Sequence, residues 1–289
     1  MKVYLTGHPG NKHILPASSF LIEKYLNENF EVNFLNFGDY DSSQLIAANY
    51  IKLDEQQVGG ASAWAKYLRE YFKSLDDEYI VFSLDDFFLC REIDMKVYEV
   101  LFEKIKSDSN IACAKLGISP IDRSHEYDII DTENAVEIFC LKPNASYSVS
   151  TQYCIWRRES LIDILEHVSD AWSFELSGTT HLNARGQKVI GSTTICLPYG
   201  ESSAVSNRHP NKVSILGMNK DLIEEMISKK LLNESELIVG QPIGDVGSYS
   251  DYKNFICNAL GVIEDKEFKN YCNLVLDLIE NNKYVEQNY

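Results

Sequence analysis

YIVFSLDDFF, residues 79–88, decides the fold. Its first part is a continuous apolar run, the pattern of a strand buried on both faces. The run ends abruptly in two adjacent carboxylates, Asp85 and Asp86, followed by Phe87 and Phe88. Burying a carboxylate without compensation is costly. The pair must therefore surface at the strand end or meet positive charge there.

The flanking sequence supplies the rest of a sheet. KVYLT, residues 2–6, reads as a first strand, and Gly7, Pro9 and Gly10 mark the turn after it. Residues 17–28 carry Phe20, Leu21, Tyr25 and Leu26 at helical spacing, and residues 31–37 (EVNFLNF) alternate as a strand does. A helix over 61–75 feeds the strand at 79–84. A helix over 94–107 then leads to a strand over 110–116 (NIACAKL). This strand–helix–strand rhythm predicts an α/β fold with a mostly parallel central sheet flanked by helices. In such sheets ligands bind outside the carboxyl ends of the strands, where Asp85 and Asp86 would stand. Residues 127–149 read as extended segments, 158–168 as a helix, 188–197 as a strand and 198–212 as a loop. From about residue 219 the pattern turns helical. The predicted organisation is one domain over 1–215 and a helical C-terminal appendage over 216–289.

Composition narrows the partners. The chain has 289 residues, 45% of them hydrophobic, and a formal net charge of −16. It can bury a substantial core. Its field opposes nucleic acid over most of the surface, so no nucleic-acid partner is expected. No apolar stretch has the length of a transmembrane helix, and the N-terminus has no signal-like apolar region. The seven cysteines (Cys90, Cys113, Cys140, Cys154, Cys196, Cys257 and Cys272) form no CxxC pair. They read as buried free thiols of a protein in a reducing, cytoplasmic compartment. The histidines show no HExxH pattern.

At a strand end, successive side chains point to opposite faces. One of Asp85 and Asp86 could then hold a hard divalent cation, Mg²⁺ or Mn²⁺, while the other accepts hydrogen bonds. The alternative is a strand-end acid facing water. A second stretch, SVSTQYCIWRRESLIDILEHVSDAWSFE (148–175), ends in Glu175 beside Trp172 and Phe174. Apolar neighbours raise a carboxylate's proton affinity and suit a general base; a solvent-facing loop acid fits the same letters. Trp156 and Trp172 read as core or pocket walls. Thr6, Gly7 and Asp39 follow the first two strands and could approach a nucleotide there. Asn207, Arg208, His209 and Lys212 are a basic cluster that could close over a diphosphate. Gln152, just before the Trp156 segment, could line a pocket beside it.

A strand ending LDDFFL, then SxSxQxxIWRRExLxxIL, then AWxFE and LPY (197–199), with Trp64 in the helix before the first motif, resembles bacterial GT-A type, family 2-like, nucleotide-sugar glycosyltransferases. The resemblance covers roughly residues 60–215. It implies a metal-binding acidic motif, matched by Asp85 and Asp86, that holds the donor diphosphate with Mn²⁺ or Mg²⁺. It also implies an acid across the pocket, matched by Glu175, that deprotonates the acceptor in an inverting transfer. The implied donor is a nucleotide sugar, a UDP-sugar foremost. The implied acceptor is a glycan or lipid-linked glycan. The usual acidic motif is Asp-x-Asp, whereas this chain reads Ser83-Leu84-Asp85-Asp86. Which Asp would be the ligand, and whether a metal is required, stay open.

Two other readings compete. A phosphohydrolase of the haloacid-dehalogenase kind needs an Asp-x-Asp nucleophile motif that Asp85-Asp86-Phe87-Phe88-Leu89 lacks. A non-catalytic nucleotide- or sugar-binding module would keep the fold without turnover. The C-terminal helices could mediate a homodimer or peripheral membrane association.

Overall fold

The apolar runs assemble into one nine-stranded sheet in the computed structural model, which describes residues 1–53, 63–117, 126–143, 145–199, 213–214, 220–233 and 237–238. The strands are β1 (Lys2–Thr6), β2 (Glu31–Asn36), β3 (Ala48–Lys52), β4 (Tyr79–Leu84), β5 (Ile111–Lys115), β6 (Tyr127–Glu133), β7 (Val136–Leu141), β8 (Cys154–Arg157) and β9 (Lys188–Ser192). Their order across the sheet is β3-β2-β1-β4-β8-β5-β9-β7-β6. β1 pairs in parallel with β2 and β4, β2 with β3, and β5 with β9. β8 lies antiparallel between β4 and β5, and β7 antiparallel between β9 and β6. All strands but β7 and β8 run one way. The expected α/β class and the central place of β4 hold.

The helices are α1 (Leu15–Tyr25), α2 (Trp64–Lys73), α3 (Met95–Ser107), α4 (Arg158–Glu166), α5 (Ala171–Ala184) and α6 (Lys220–Ser228). The chain divides into two compact units. One comprises residues 1–9, 26–85 and 91–198 and holds the sheet with α2 to α5. The other comprises 10–25, 86–90 and 199–289 and holds α1, α6 and a parallel pair, β10 (Val213–Ser214) with β11 (Leu237–Ile238). Within this second unit Lys24 pairs with Glu225, and the Phe87 and Tyr199 rings meet edge-on at 5.0 Å. The predicted C-terminal helices beyond residue 238 lie outside the described residues, as do 200–212 of the predicted loop.

One aromatic cluster fixes the core of the sheet unit. Trp156 of β8 is wholly buried, opposite Ile80 of β4 and Cys113 of β5. The Phe174 ring of α5 lies 5.9 Å from the rings of Trp156 and Trp64 and 6.0 Å from that of Phe82. Each such pair adds about 0.5–1.5 kcal/mol beyond the area it buries. Gly178, one turn further along α5, lets that helix close on α4. A Cβ there would meet Ile164 Cγ2 at 2.9 Å and Val149 Cγ1 at 3.2 Å. At the far edge, β6 carries a bulge between Ile129 and Asp131. Cys113, Cys154 and Cys196 are buried free thiols, Cys140 is a half-buried one, and Cys90 is half-buried.

α5 is not evident from apolar spacing, and the AWSFE segment belongs to its first turns. Asp170 caps it: the Ser173 N–H donates to Asp170 Oδ1 at 2.7 Å, and the Asp170 N–H donates to Ser173 Oγ at 3.0 Å. This reciprocal box satisfies two backbone donors at the helix start. Backbone and hydroxyl donors from Ser173 hold the Asp170 carboxyl below its ordinary value of 3.8. Asp170→Ala is expected to cost about 1 kcal/mol in urea denaturation at neutral pH. Because the folded pKa is the lower one, the charged cap stabilises above the ordinary value. That contribution is lost as pH falls through the folded value. Urea midpoints of wild type and Asp170→Ala should therefore converge below about pH 3.8.

Candidate functional site

β1, β2 and β4 run parallel, so their carboxyl ends gather at one edge of the sheet. Asp85 follows β4, and its N–H donates to the Thr6 carbonyl at the end of β1 at 2.9 Å. Its side chain is 1% exposed and lies over Gly7. A Cβ on Gly7 would sit 2.0 Å from Asp85 Oδ1, so only glycine leaves room for this carboxylate. From the end of β2, Asn36 presents Nδ2 at 3.5 Å from Asp85 Oδ2. The amide is oriented by its own Oδ1, which accepts the Phe37 N–H at 2.8 Å. Thr6 is fully buried, and its Oγ1 has no hydrogen-bond partner among the described residues. Thr6, Gly7 and Asp85 are thus brought together. Asp86, the next residue, is also buried, at 7% exposure.

Asp39 stands further out. Its side chain is 95% exposed and pairs with Lys52 Nζ at 3.0 Å. The Tyr50 hydroxyl of β3 donates to the Gly38 carbonyl at 2.8 Å, and its ring lies 5.2 Å from that of Tyr40. Burial pushes the Tyr50 phenol up to about 12, and the charges of Asp39 and Asp85 add to the shift. Both acids therefore act on the same tyrosine.

Glu175 arrives from the other side of β4. Its Oε1 accepts both the N–H and the hydroxyl of Thr151, each at 2.9 Å. The Thr151 carbonyl accepts the Ser83 hydroxyl and the Leu84 N–H, each at 3.1 Å. One residue thus ties Glu175 to the last two positions of β4. Lys115, which ends β5, is buried and donates to the Tyr147 carbonyl at 2.9 Å and to Ser150 Oγ at 3.0 Å. Gln152 is half-buried and accepts from Ser150 Oγ at 3.5 Å.

Trp172 corrects the sequence reading. It is 74% exposed, with Leu176 at 58% one turn on, so it is not part of the core. Helical geometry turns positions 172 and 176 outward and Phe174 inward. Glu175 is therefore flanked by one buried aromatic, not two. Trp156 is core, as expected. Asn207, Arg208, His209 and Lys212 lie outside the described residues. Thr151, Asn36, Tyr50 and Lys115 were not singled out by sequence. A signal existed for one of them: Lys115 ends an apolar strand just as Asp85 follows one.

Asp85 and Asp86 offer hard carboxylate oxygens. That donor type suits Mn²⁺ or Mg²⁺, which are commonly held by one or two carboxylates with substrate phosphates completing the shell. No group of three convergent His, Cys, Asp or Glu donors among the described residues includes either of them.

No protein-family model matches the chain, and no curated protein sequence matches it. Solved structures do show distant likeness. The chain is similar to a mannosyltransferase, PcManGT from Pyrobaculum calidifontis, solved with GDP-Man and Mn²⁺ (10% identity, TM-score 0.46, covering 96% of this chain and 84% of that one). It is similar to S. aureus TarS residues 1–349 (14% identity, TM-score 0.43, 99% and 92% covered). It is also similar to a cytidylyltransferase from Leptospira borgpetersenii serovar Hardjo-bovis (11% identity, TM-score 0.40, 100% and 98% covered).

The Gly7–Asp85 contact is testable by a double-mutant cycle. Gly7→Ala alone should cost about 1–3 kcal/mol in urea denaturation, the range for overpacking a filled site. Combined with Asp85→Ala the cost should shrink, with a coupling of at least about 0.5 kcal/mol between the two positions. Simple additivity would mean that the carboxylate does not occupy this space.

Proposed function

We propose that the chain is a nucleotide-sugar glycosyltransferase that moves a sugar, from a UDP-sugar foremost, onto a hydroxyl of a glycan or lipid-linked glycan of the surface-polysaccharide type. The observation that carries this reading is the Thr151 junction. It anchors Glu175 to the end of β4, the strand that Asp85 follows. One acid to accept a proton and one acidic motif to meet a diphosphate then belong to the same strand end.

In the proposed reaction the acceptor hydroxyl gives its proton to Glu175 as its oxygen attacks the anomeric carbon. A new C–O bond forms, the bond from that carbon to the diphosphate oxygen breaks, and the nucleoside diphosphate leaves with the electron pair. Attack from the face opposite the leaving group inverts the anomeric centre. Asp85 and Asp86 would hold Mn²⁺ or Mg²⁺, whose role is to offset charge gathering on the leaving diphosphate. Thr6, with a buried hydroxyl lacking a partner among the described residues, has hydrogen-bonding capacity to spend on the nucleotide. Asp39, exposed at the rim, is assigned to the ribose or base, and Arg208 and His209 to the diphosphate.

Glu175→Gln keeps the size of the side chain and loses the base. Its donor affinity should stay near wild type while transfer falls by about 100-fold or more. Asp85→Asn and Asp86→Asn should weaken binding of the nucleotide with Mn²⁺. The test is a thermal-shift screen of UDP, GDP, CMP and TDP and their sugars with Mn²⁺, Mg²⁺ or EDTA, followed by transfer assays on the donor that binds. Stabilisation by one nucleotide class supports the reading, since a ligand of the folded state raises Tm by mass action. Full transfer by Glu175→Gln removes it as the base. Pyrophosphate release from a nucleoside triphosphate, with no sugar transfer, would make the chain a nucleotidyltransferase instead.

A further inference from the structure

α4 and α5 carry a second group of chemically capable side chains, separate from the β4 strand end. Asp163 lies in α4, His167 immediately follows it as its C-cap, and His181 lies in α5. Asp163 and His167 are four residues apart, so they project from one face of the helix end. His181 Nε2 lies 2.8 Å from Asp163 Oδ2. The imidazole rings of His167 and His181 are 4.1 Å apart at their centroids, tilted by 32°. One donor atom from each of the three residues lies within 4.8 Å of the other two. Along α5, His181 is six residues beyond Glu175, about 9 Å of helix rise and a different face. The group is thus distinct from the proposed transfer site.

We propose that Asp163, His167 and His181 form a binding site for a borderline divalent transition-metal ion, Zn²⁺ foremost. The donor set selects the ion. Two imidazoles and one carboxylate suit Zn²⁺, whereas Mg²⁺ and Mn²⁺ favour all-oxygen shells. Tetrahedral bonds of about 2.0–2.1 Å place neighbouring donors roughly 3.3–3.4 Å apart. The Asp163–His181 pair already falls inside that separation. Side-chain rotation of His167, which is exposed, closes the remaining gap. Three protein ligands leave one position for water or an exogenous ligand.

The backbone is arranged for this approach. Gly178 lies one turn before His181, at the point where α5 presses on Ile164, the neighbour of Asp163. A larger residue there would force the Ile164 or Val149 side chain to shift where the two ligand-bearing helices meet. Asp163 is further oriented by Arg185, whose Nε is 3.4 Å from Oδ2 and whose side chain is 60% exposed and free to swing outward. A plain Asp–His hydrogen bond explains the contact of Asp163 with His181. It gives no reason for His167 to stack on the same ring.

The test uses the untagged full chain, stripped with EDTA and dialysed, titrated with Zn²⁺ against a chromophoric chelator. One equivalent should bind, and Co²⁺ in its place should give the visible d–d absorption of a four- to five-coordinate ion. His167→Gln and His181→Gln should each raise the Kd by about 100-fold or more, beyond what loss of an outer partner causes. Asp85→Asn should leave Zn²⁺ affinity unchanged, which separates this site from the proposed transfer site. His167 is exposed, so His167→Gln should fold as wild type by circular dichroism even if His181→Gln does not. Absence of Zn²⁺ binding would overturn the proposal, as would tight binding that survives His167→Gln.

Discussion

The antiparallel insertion of β8 between β4 and β5 is the constraint on which the rest of the sheet unit depends. Both neighbours are parallel-running strands, and each gives β8 one edge. A strand entering in the opposite sense must start at their carboxyl ends. The segment before it, residues 145–153, is thereby delivered to the same edge as the end of β1. That is why Thr151 meets Ser83 and Leu84, and why Lys115 meets Tyr147 and Ser150. Buried Trp156 then locks the register from below, through Phe174 and the first turns of α5.

This arrangement puts polar groups in places that a simple parallel sheet would keep apolar. Ser83, Asp85, Ser148, Ser150, Thr151 and Lys115 are all buried near strand ends. Buried polar groups are retained where hydrogen bonds or charges compensate them. Here the partners are largely backbone carbonyls and hydroxyls of the 145–153 segment. The network positions side chains without relying on long surface ion pairs, which contribute little.

Much of this was legible in the letters. Strand β4, its terminal acids, and the strand–helix alternation on either side followed from apolar run length and spacing. So did the helix over α4. What stayed hidden has physical reasons. β8 is only four residues long and runs into α4 with no turn residue between them. Its strand direction is set by tertiary pairing, not by local propensity. α5 has few apolar residues and buries Phe174, Gly178 and Leu182. Its glycine weakens the helical signal even though the Asp170–Ser173 box announces the start. The site residues divide similarly. Thr6, Gly7 and Asp85 share one strand edge, as topology predicted. The partner of Glu175 could not be read, because Thr151 is brought to it only by the reversed strand. The outward turn of Trp172 follows from a helix phase that the sequence did not disclose.

The bulge in β6 has a meaning for the molecule in company. β6 is a terminal strand of the sheet, and Ile129 and Ile130 are 47% and 46% exposed on it. An open row of backbone donors beside exposed isoleucines is a template for joining edge to edge with another chain. The bulge breaks the regular spacing of that row at Ile130. Along the same strand Asp128 pairs with Lys142 and Asp131 with Lys104, so the edge carries fixed, paired charges, which blunt such joining. Among the described residues, the nine-stranded sheet thus ends in a broken donor row lined by paired charges rather than in a regular apolar edge.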